Sequence, residues 1–140
     1  MEAVAMDLSG NWTGVFDYGL GGQDAVPFTA RLTDVGGVVW GETLEPNTFA
    51  RNAGPELRAE VSGSRSGLEL HFRKAYHGKP RGGAHPIHYT GHISAGGRRI
   101  EGRWRINLPD VPFGGPFVMT RIPGLEVTRE IARQAEVEAS

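Results

Sequence analysis

The sequence contains no cysteine, and this absence excludes disulfide bonds and thiolate metal sites from the 140-residue chain. Long apolar runs are also missing, because no stretch approaches the roughly 20 apolar residues of a membrane-spanning helix. Residues 1–7 carry two acids and no basic residue, unlike the basic start of a secretory signal peptide. Together these absences predict a soluble, cytoplasmic protein without a membrane partner.

Glycine, in contrast, is abundant, with 21 residues in 140, about twice its usual share of roughly 7%. The glycines lie among alternating apolar residues rather than in serine- or glutamine-rich tracts, so they do not indicate a low-complexity segment. A chain of this length buries about two-thirds of its unfolded surface when it folds. The composition therefore predicts a single domain over residues 1–140.

Charges of opposite sign are separated along the chain, although the formal net charge is only −1. Residues 1–64 hold nine acids and three basic groups, whereas residues 65–105 hold nine basic groups and two acids. A basic face on one copy could meet an acidic face on another, and closed homo-oligomers are common. We therefore expect a homo-oligomer.

Apolar and polar residues alternate with a period of two in eight segments separated by Gly-, Pro- and Asn-rich turns, which is typical of half-buried strands. The predicted strands are 8–18, 26–33, 38–45, 57–63, 68–76, 87–94, 98–107 and 116–122. Four-residue spacing of apolar residues predicts a short helix over 125–137. Eight consecutive strands with short links favour an all-β fold, a single antiparallel up-and-down barrel without exposed sheet edges.

One of two longer connections, 46–56 or 77–86, is expected to gate the mouth of this barrel. The sequence does not decide which residues of the third strand point inward, because Trp40 and Gly41 compete for the inner face. If Trp40 points inward, Glu42 does so too, and a buried carboxylate could act as an acid or a base. Glu45 is expected at an outward or turn position.

Three short motifs carry a family resemblance: Gly10-Asn11-Trp12 in the first strand, 102–104 (Gly-Arg-Trp) in the seventh, and Arg121 at the end of the last. Together with 89–91 (Tyr-Thr-Gly), they resemble the calycin group of small β-barrels, with the avidin-like and lipocalin-like branches closest. The resemblance covers roughly residues 8–122. It implies that Trp12 packs across the barrel base against Arg121, so that Gly10, Trp12 and Arg121 form a structural clasp.

The resemblance does not extend to biotin binding. Avidins hold the biotin ureido group with inward polar side chains of the first strand and the following loop, whereas the inward positions after Trp12 are here Gly14, Phe16 and Tyr18. An aromatic interior suits a small, largely apolar ligand bound without a cofactor. The candidate interior ligand-binding residues are Phe16, Tyr18, Phe28, Phe72, Tyr89 and Trp104.

Two other functions fit the same interior. The side chains could simply fill the barrel core, leaving a structural or oligomerisation module. Alternatively, the barrel could be an enzyme of the isomerase or cyclase type acting on an apolar substrate. No nucleophile motif supports catalysis, since 62–64 (Ser-Gly-Ser) lacks the helix that should follow a nucleophile elbow, and no catalytic residue is predicted.

The histidines offer one candidate metal site on the outer surface. If Phe72 faces Gly91 across strands five and six, then His71 lies opposite His92, and pairing with the seventh strand adds Glu101. Two histidines and a carboxylate can bind a divalent metal. The alternative is a solvated, mildly basic face.

Basic residues dominate the outward positions of strands five to seven, so phosphate binding must be considered. Proteins that bind single-stranded nucleic acid add aromatic stacking platforms to such surfaces. No aromatic residue occupies these positions, and a nucleic-acid partner is not expected. The outward basic residues are His71, Arg73, His88, His92, Arg99, Arg103 and Arg105.

Overall fold

A computed structural model of the chain describes residues 6–17, 25–46, 55–77, 86–106 and 113–123. Eight strands occur there: β1 (Gly10–Phe16), β2 (Val26–Val35), β3 (Val38–Pro46), β4 (Glu56–Ser66), β5 (Glu69–Tyr76), β6 (Ile87–Ile93), β7 (Arg99–Ile106) and β8 (Phe113–Arg121). Each strand pairs antiparallel with the next, and β8 returns to β1. The predicted closed, eight-stranded up-and-down barrel is confirmed.

The part of the chain that the structure describes contains no helix, and therefore none long and apolar enough to cross a membrane. The helix predicted over 125–137 lies outside these residues.

The period-two pattern of the sequence corresponds to the inside and outside of the barrel. In β2, Val26, Phe28, Ala30 and Leu32 are all buried, while the residues between them are exposed. Successive side chains of a strand point to opposite faces, so one face of each strand supplies the core. The core therefore lies along the barrel axis, where the inner faces of all eight strands meet.

β4 and β8 extend furthest beyond their predicted bounds, because pairing overrides local propensity. β4 continues to Ser66 through a Gly- and Ser-rich stretch, and β8 already begins at Phe113, ahead of two glycines. Such residues disfavour strands in isolation. Here Ser64 pairs with His71 and Gly114 with Arg105, so neighbouring strands hold these segments extended.

The two ends of the barrel differ in their connections. At the first, which we call the tight-turn end, β2–β3, β4–β5 and β6–β7 are joined by short turns. Gly36 and Gly67 there adopt φ of +59°, a left-handed conformation that glycine adopts at little cost. The other, the long-loop end, carries the longer connections. Residues 47–54 and 78–85, at the centre of the two candidate gating loops, lie outside the described residues.

Trp12 closes the tight-turn end. Its side chain is 0% exposed, and its indole Nε1 donates a hydrogen bond to the Leu8 carbonyl at 2.9 Å. Arg121 is opposite Trp12 in the β1–β8 register, and its guanidinium carbon lies 5.0 Å from the Trp12 ring centroid. Gly10 precedes this contact with φ of +136°. The first and last strands are thus joined by a cation–π contact at the barrel base.

A second contact set at the same end centres on Asp34. Its carboxylate accepts hydrogen bonds from the backbone N–H of Leu8 at 2.9 Å and of Gly37 at 3.1 Å, and from Arg65 Nε at 2.8 Å. Arg65 also donates to the Met6 carbonyl at 2.9 Å. Burial raises the pKa of Asp34, but the Arg65 and backbone hydrogen bonds outweigh it, and the pKa is lowered. The charged carboxylate therefore holds the segment before β1 against the base.

Glycines allow the barrel to curve tightly where β6 and β7 meet. Gly91 lies directly opposite Gly102. A Cβ added at Gly102 would lie 2.0 Å from the Thr90 carbonyl oxygen, and one at Gly91 would lie 2.8 Å from Ile100 Cγ2 and 3.0 Å from Phe117 Cζ. The strands thus approach too closely for a side chain at Gly102, and neighbouring side chains already occupy the space beside Gly91.

Candidate functional site

A lysine lies inside the barrel. The inward positions of β5 are Leu70, Phe72 and Lys74, and the Lys74 side chain is only 2% exposed. Lysine is almost never fully buried without a partner, because removing its ammonium group from water is costly. Its burial therefore requires a compensating group.

Glu45 supplies that group from β3. The inner face of this strand carries Val39, Thr43 and Glu45, whereas Trp40 is 44% exposed on the outer face together with Glu42. The structure thus settles the open choice for the third strand, and the outward or turn position expected for Glu45 was wrong. The short turn between β2 and β3 sets this register, since a shift of one residue would move every inward side chain to the outside.

Lys74, Glu45 and Tyr76 form a buried polar cluster near the long-loop end. The Lys74 ammonium donates a short hydrogen bond to Glu45 Oε1, and the Tyr76 hydroxyl lies 3.1 Å from both carboxylate oxygens. Ala59 of the intervening strand β4 is opposite both Tyr76 and Thr43 in the register, and its small side chain leaves room for contacts across β4.

Aromatic rings surround the ammonium group. Lys74 Nζ lies 4.9 Å from the ring centroids of Phe16 and Tyr76, and 5.8 Å from those of Phe28 and Tyr89. Each distance lies within the range of a cation–π interaction. Three of the residues predicted from sequence to line the interior, Phe16, Phe28 and Tyr89, are thus brought together around a lysine that was not predicted.

The surroundings of Lys74 affect its protonation. Burial in the aromatic interior lowers the pKa of the ammonium group, and the opposing effects of the Glu45 charge and hydrogen bond do not fully restore it. A desolvated lysine is a group that proteins commonly use in binding and catalysis.

The other predicted interior residues lie around this cluster. Phe72 stacks on Tyr89 with centroids 4.7 Å apart, and Trp104 packs edge-to-face against Phe16 at 5.9 Å. The Trp104 indole also donates to the Asp17 carbonyl at 2.9 Å. Tyr18 lies outside the described residues. The candidate residues that the structure describes thus form one aromatic interior.

Two described polar groups on the inner faces of β3 and β5, the Thr43 hydroxyl and the Lys74 ammonium, retain unused hydrogen-bonding capacity. Thr43 is 5% exposed, and its Oγ1 has no hydrogen-bond partner. Among residues 6–17, 25–46, 55–77, 86–106 and 113–123, Glu45 is the only hydrogen-bond acceptor for the Lys74 ammonium, which carries three N–H donors. Buried polar groups are normally satisfied, so each such group calls for an explanation.

The β5–β6 register differs by two residues from the one assumed for a metal site. Phe72 faces Tyr89 rather than Gly91, so His71 lies opposite Thr90, and His92 lies opposite Glu69. His92 does face Glu101 across β6 and β7, as assumed. The pairing of His71 with His92 was therefore wrong, and in the described parts of the chain no three metal-ligating side chains form a group that could hold a metal ion.

The sequence contained a usable signal for Lys74 and a weaker one for Glu45. Lys74 continues the inward alternation of Leu70 and Phe72, so its parity alone placed it inside. For Glu45 the parity was ambiguous, because the large apolar Trp40 has the opposite phase. Only a barrel register that places both residues near one end shows that the two charges can meet.

The sequence matches no known protein-family model and no curated protein.

Proposed function

We propose that the barrel binds a small, largely apolar ligand whose single polar group contacts Lys74. The observation that carries this proposal is the buried Lys74–Glu45 pair within an otherwise aromatic interior. The resemblance to calycin barrels supports the same function, since that group includes carriers of small ligands.

A buried ion pair is weak evidence for a stabilising role. Replacing a buried pair by apolar residues of similar volume is often neutral or stabilising, by about 1–4 kcal/mol. The Lys74–Glu45 pair therefore lowers stability relative to an apolar interior, and it lies beside polar groups with unused hydrogen-bonding capacity. A bound ligand explains both features better than a structural role does. Perturbed ionisable groups of this kind occur preferentially at functional sites.

The surroundings define the chemistry of the ligand. The rings of Phe16, Phe28 and Tyr89 around the ammonium group suit an apolar ligand body. The N–H groups of Lys74 that Glu45 leaves unused select a hydrogen-bond acceptor such as a carbonyl oxygen. Thr43 Oγ1 offers a further hydroxyl. Glu45 already balances the lysine charge, so a neutral head group is favoured over a carboxylate. The ligand would enter from the long-loop end, nearest to the cluster.

Binding of prodan, a small fluorescent naphthyl ketone, tests the proposal. We expect saturable binding with blue-shifted emission, weakened at least about ten-fold by the double substitution Glu45→Gln/Lys74→Met, because a hydrogen bond to a charged group is lost. Arg99→Gln, which removes one partner of an exposed ion pair, is the control and should leave binding unchanged. Equal affinity of the parent and the double variant, or no binding to the parent, would contradict the proposal. Native mass spectrometry of the purified protein would reveal a carried ligand.

A barrel enzyme of the isomerase or cyclase type is a second candidate, favoured by the buried Glu45 carboxylate beside a tyrosine hydroxyl. A carboxylate and a hydroxyl in contact can move a proton on a bound apolar substrate. Incubation of a carried ligand with the protein in D₂O distinguishes this function from simple binding. Deuterium incorporation that is lost in Glu45→Gln supports an enzyme, and unchanged ligand supports a carrier.

Self-association has separate support from the outer surface. Trp40 is half-exposed there, next to the opposed pair Val35 and Val38, which are 62% and 58% exposed. An exposed apolar patch often marks a contact between proteins. We propose that two copies meet through this patch, and native mass spectrometry of Trp40→Ser should then show monomers where the parent shows dimers. A monomeric parent would contradict it.

A further inference from the structure

We propose that the outer face of β5–β7 is a binding site for a small, multiply charged oxyanion of the phosphate type. The site is separate from the barrel interior and independent of the proposed ligand there. Its components are Arg73, His88, Arg105 and Arg103, with His71 and Thr90 beside them.

The register places these residues in two rows on three adjacent strands. Arg73, His88 and Arg105 are directly opposed across β5, β6 and β7. His71, Thr90 and Arg103 form the next row on the same face. Directly opposed side chains have Cβ atoms roughly 5 Å apart, and rows two residues apart are separated by about 7 Å. The donors therefore cover an area that suits one phosphate or diphosphate group.

No described carboxylate compensates the positive charges in these rows. Among the described residues, none of Arg73, Arg103 and Arg105 forms an ion pair with a carboxylate. The two carboxylates of the adjoining row are already engaged, Glu69 with His92 at 3.0 Å and Glu101 with Arg99 at 3.2 Å. Like charges placed directly opposite each other destabilise a sheet. A bound anion would relieve that repulsion.

The pKa of His88 is affected by these positive charges. Partial burial lowers its pKa most, and the charges of His71, Arg105 and Arg73 lower it further. The His71 and His88 rings also stack, with centroids 5.9 Å apart and an angle of 22° between planes. Arg103 is the remaining charged group that β5 and β7 place around His88. All the charged neighbours of His88 on these two strands are therefore basic.

The surface here is concave, and its chemistry suits phosphate. His88, Thr90, Arg103 and Arg105 line a groove of about 370 Å³ bounded on the β8 side by Phe113 and Gly114. Guanidinium groups bind phosphate oxygens in a bidentate manner, and the Thr90 hydroxyl can donate a further hydrogen bond. The outward positions of β5–β7 carry no Phe, Tyr or Trp on which bases could stack, so the site favours a small anion over single-stranded nucleic acid.

A titration with inorganic pyrophosphate, followed by NMR of the histidine side chains, tests the proposal. The ionic strength is held constant with sodium chloride, because salt screens exposed charges and a change in its concentration would itself change anion binding. We expect saturable shifts at His88 and His71 but not at His92. The anion should also raise the pKa of His88, so that binding takes up protons and becomes stronger as the pH falls towards 6.

Matched variants separate this site from general charge attraction. Arg73→Gln/Arg105→Gln should weaken pyrophosphate binding at least about ten-fold, since two charge-assisted contacts are lost. Arg31→Gln/Arg58→Gln removes the same charge from the exposed outer face of β2–β4 and should leave binding unchanged. Non-saturable shifts, equal losses in both variants, or tighter binding of an oligothymidylate than of pyrophosphate would overturn the proposal.

Discussion

Removing the ammonium group from the barrel interior should destabilise the protein strongly, although lysine is ordinarily a surface residue. Lys74→Met keeps the length and most of the volume of the side chain. It leaves the buried Glu45 carboxylate with Tyr76 as its remaining partner in the cluster. Breaking a buried pair from one side costs about 3–5 kcal/mol, because an uncompensated charge remains. We expect a loss of that size in the free energy of unfolding.

A second substitution, at Glu45, should recover much of this loss. Glu45→Gln removes the charge and keeps an amide oxygen as acceptor for the Tyr76 hydroxyl. The double variant Glu45→Gln/Lys74→Met should therefore be more stable than Lys74→Met alone, by roughly 2 kcal/mol. The magnitude of the coupling energy between positions 45 and 74 is this recovered amount plus the cost of Glu45→Gln alone, which leaves the buried Lys74 ammonium without a charged partner.

Urea unfolding at pH 7, followed by tryptophan fluorescence and circular dichroism, measures all four free energies. The exposed pair Arg99–Glu101 provides the control cycle, with both side chains more than half exposed. Its coupling energy should stay below about 0.5 kcal/mol, as for other solvated pairs.

Two results would refute this reasoning. A loss below about 1 kcal/mol for Lys74→Met would mean that water reaches the Glu45 carboxylate and that the interior is not desolvated. A double variant that loses the sum of the two single losses would mean that the two side chains do not interact in solution.

Three further predictions concern the barrel frame. Trp12→Ala should cost about 3–5 kcal/mol, as for other large core truncations, and lower the midpoint of thermal unfolding by at least about 10 °C; a shift of one or two degrees would contradict its place in the base. Asp34→Asn should cost about 2–4 kcal/mol at pH 7. The pKa of Asp34 is lowered in the folded state, so its stabilisation is present above the unfolded value of about 3.9 and is lost as the pH falls through the folded pKa. The urea midpoints of Asp34→Asn and of the parent should therefore converge between pH 7 and pH 2. A constant difference between the two midpoints would count against the mechanism. Gly102→Ala places a Cβ 2.0 Å from the Thr90 carbonyl and should cost about 1–3 kcal/mol in the same urea assay, with Gly96→Ala, which meets no atom within 4 Å, as control.

Most of the barrel could be predicted from local pattern. Alternation in β2, β6 and β7 identified inward residues that the structure buries, because a strand has only two faces and one of them must leave water. The ends of β4 and β8 were less predictable, since Gly- and Ser-rich segments become strands only when a neighbour supplies hydrogen-bond partners.

The polar cluster could be predicted only in part. Lys74 has the parity of an inward residue, yet its charge argues for the surface, and local reasoning has no partner to offset that charge. Glu45 lies 29 residues away on a strand that is not adjacent to β5. Their contact depends on curvature that turns the inner faces of β3 and β5 towards each other across β4.

Sequence pattern therefore determined the number of strands, their order and most of their inner faces, because these follow from a two-residue period and short turns. Registers between strands and contacts across the barrel belong to the closed structure. A shift of two residues keeps every side chain on its face and is invisible to alternation, yet it separates His71 from His92 and aligns Arg73, His88 and Arg105. Closure of the barrel also brings Lys74 to Glu45. In an interior that excludes water, each of these charges needs the other as a partner, because an unpaired buried charge is costly.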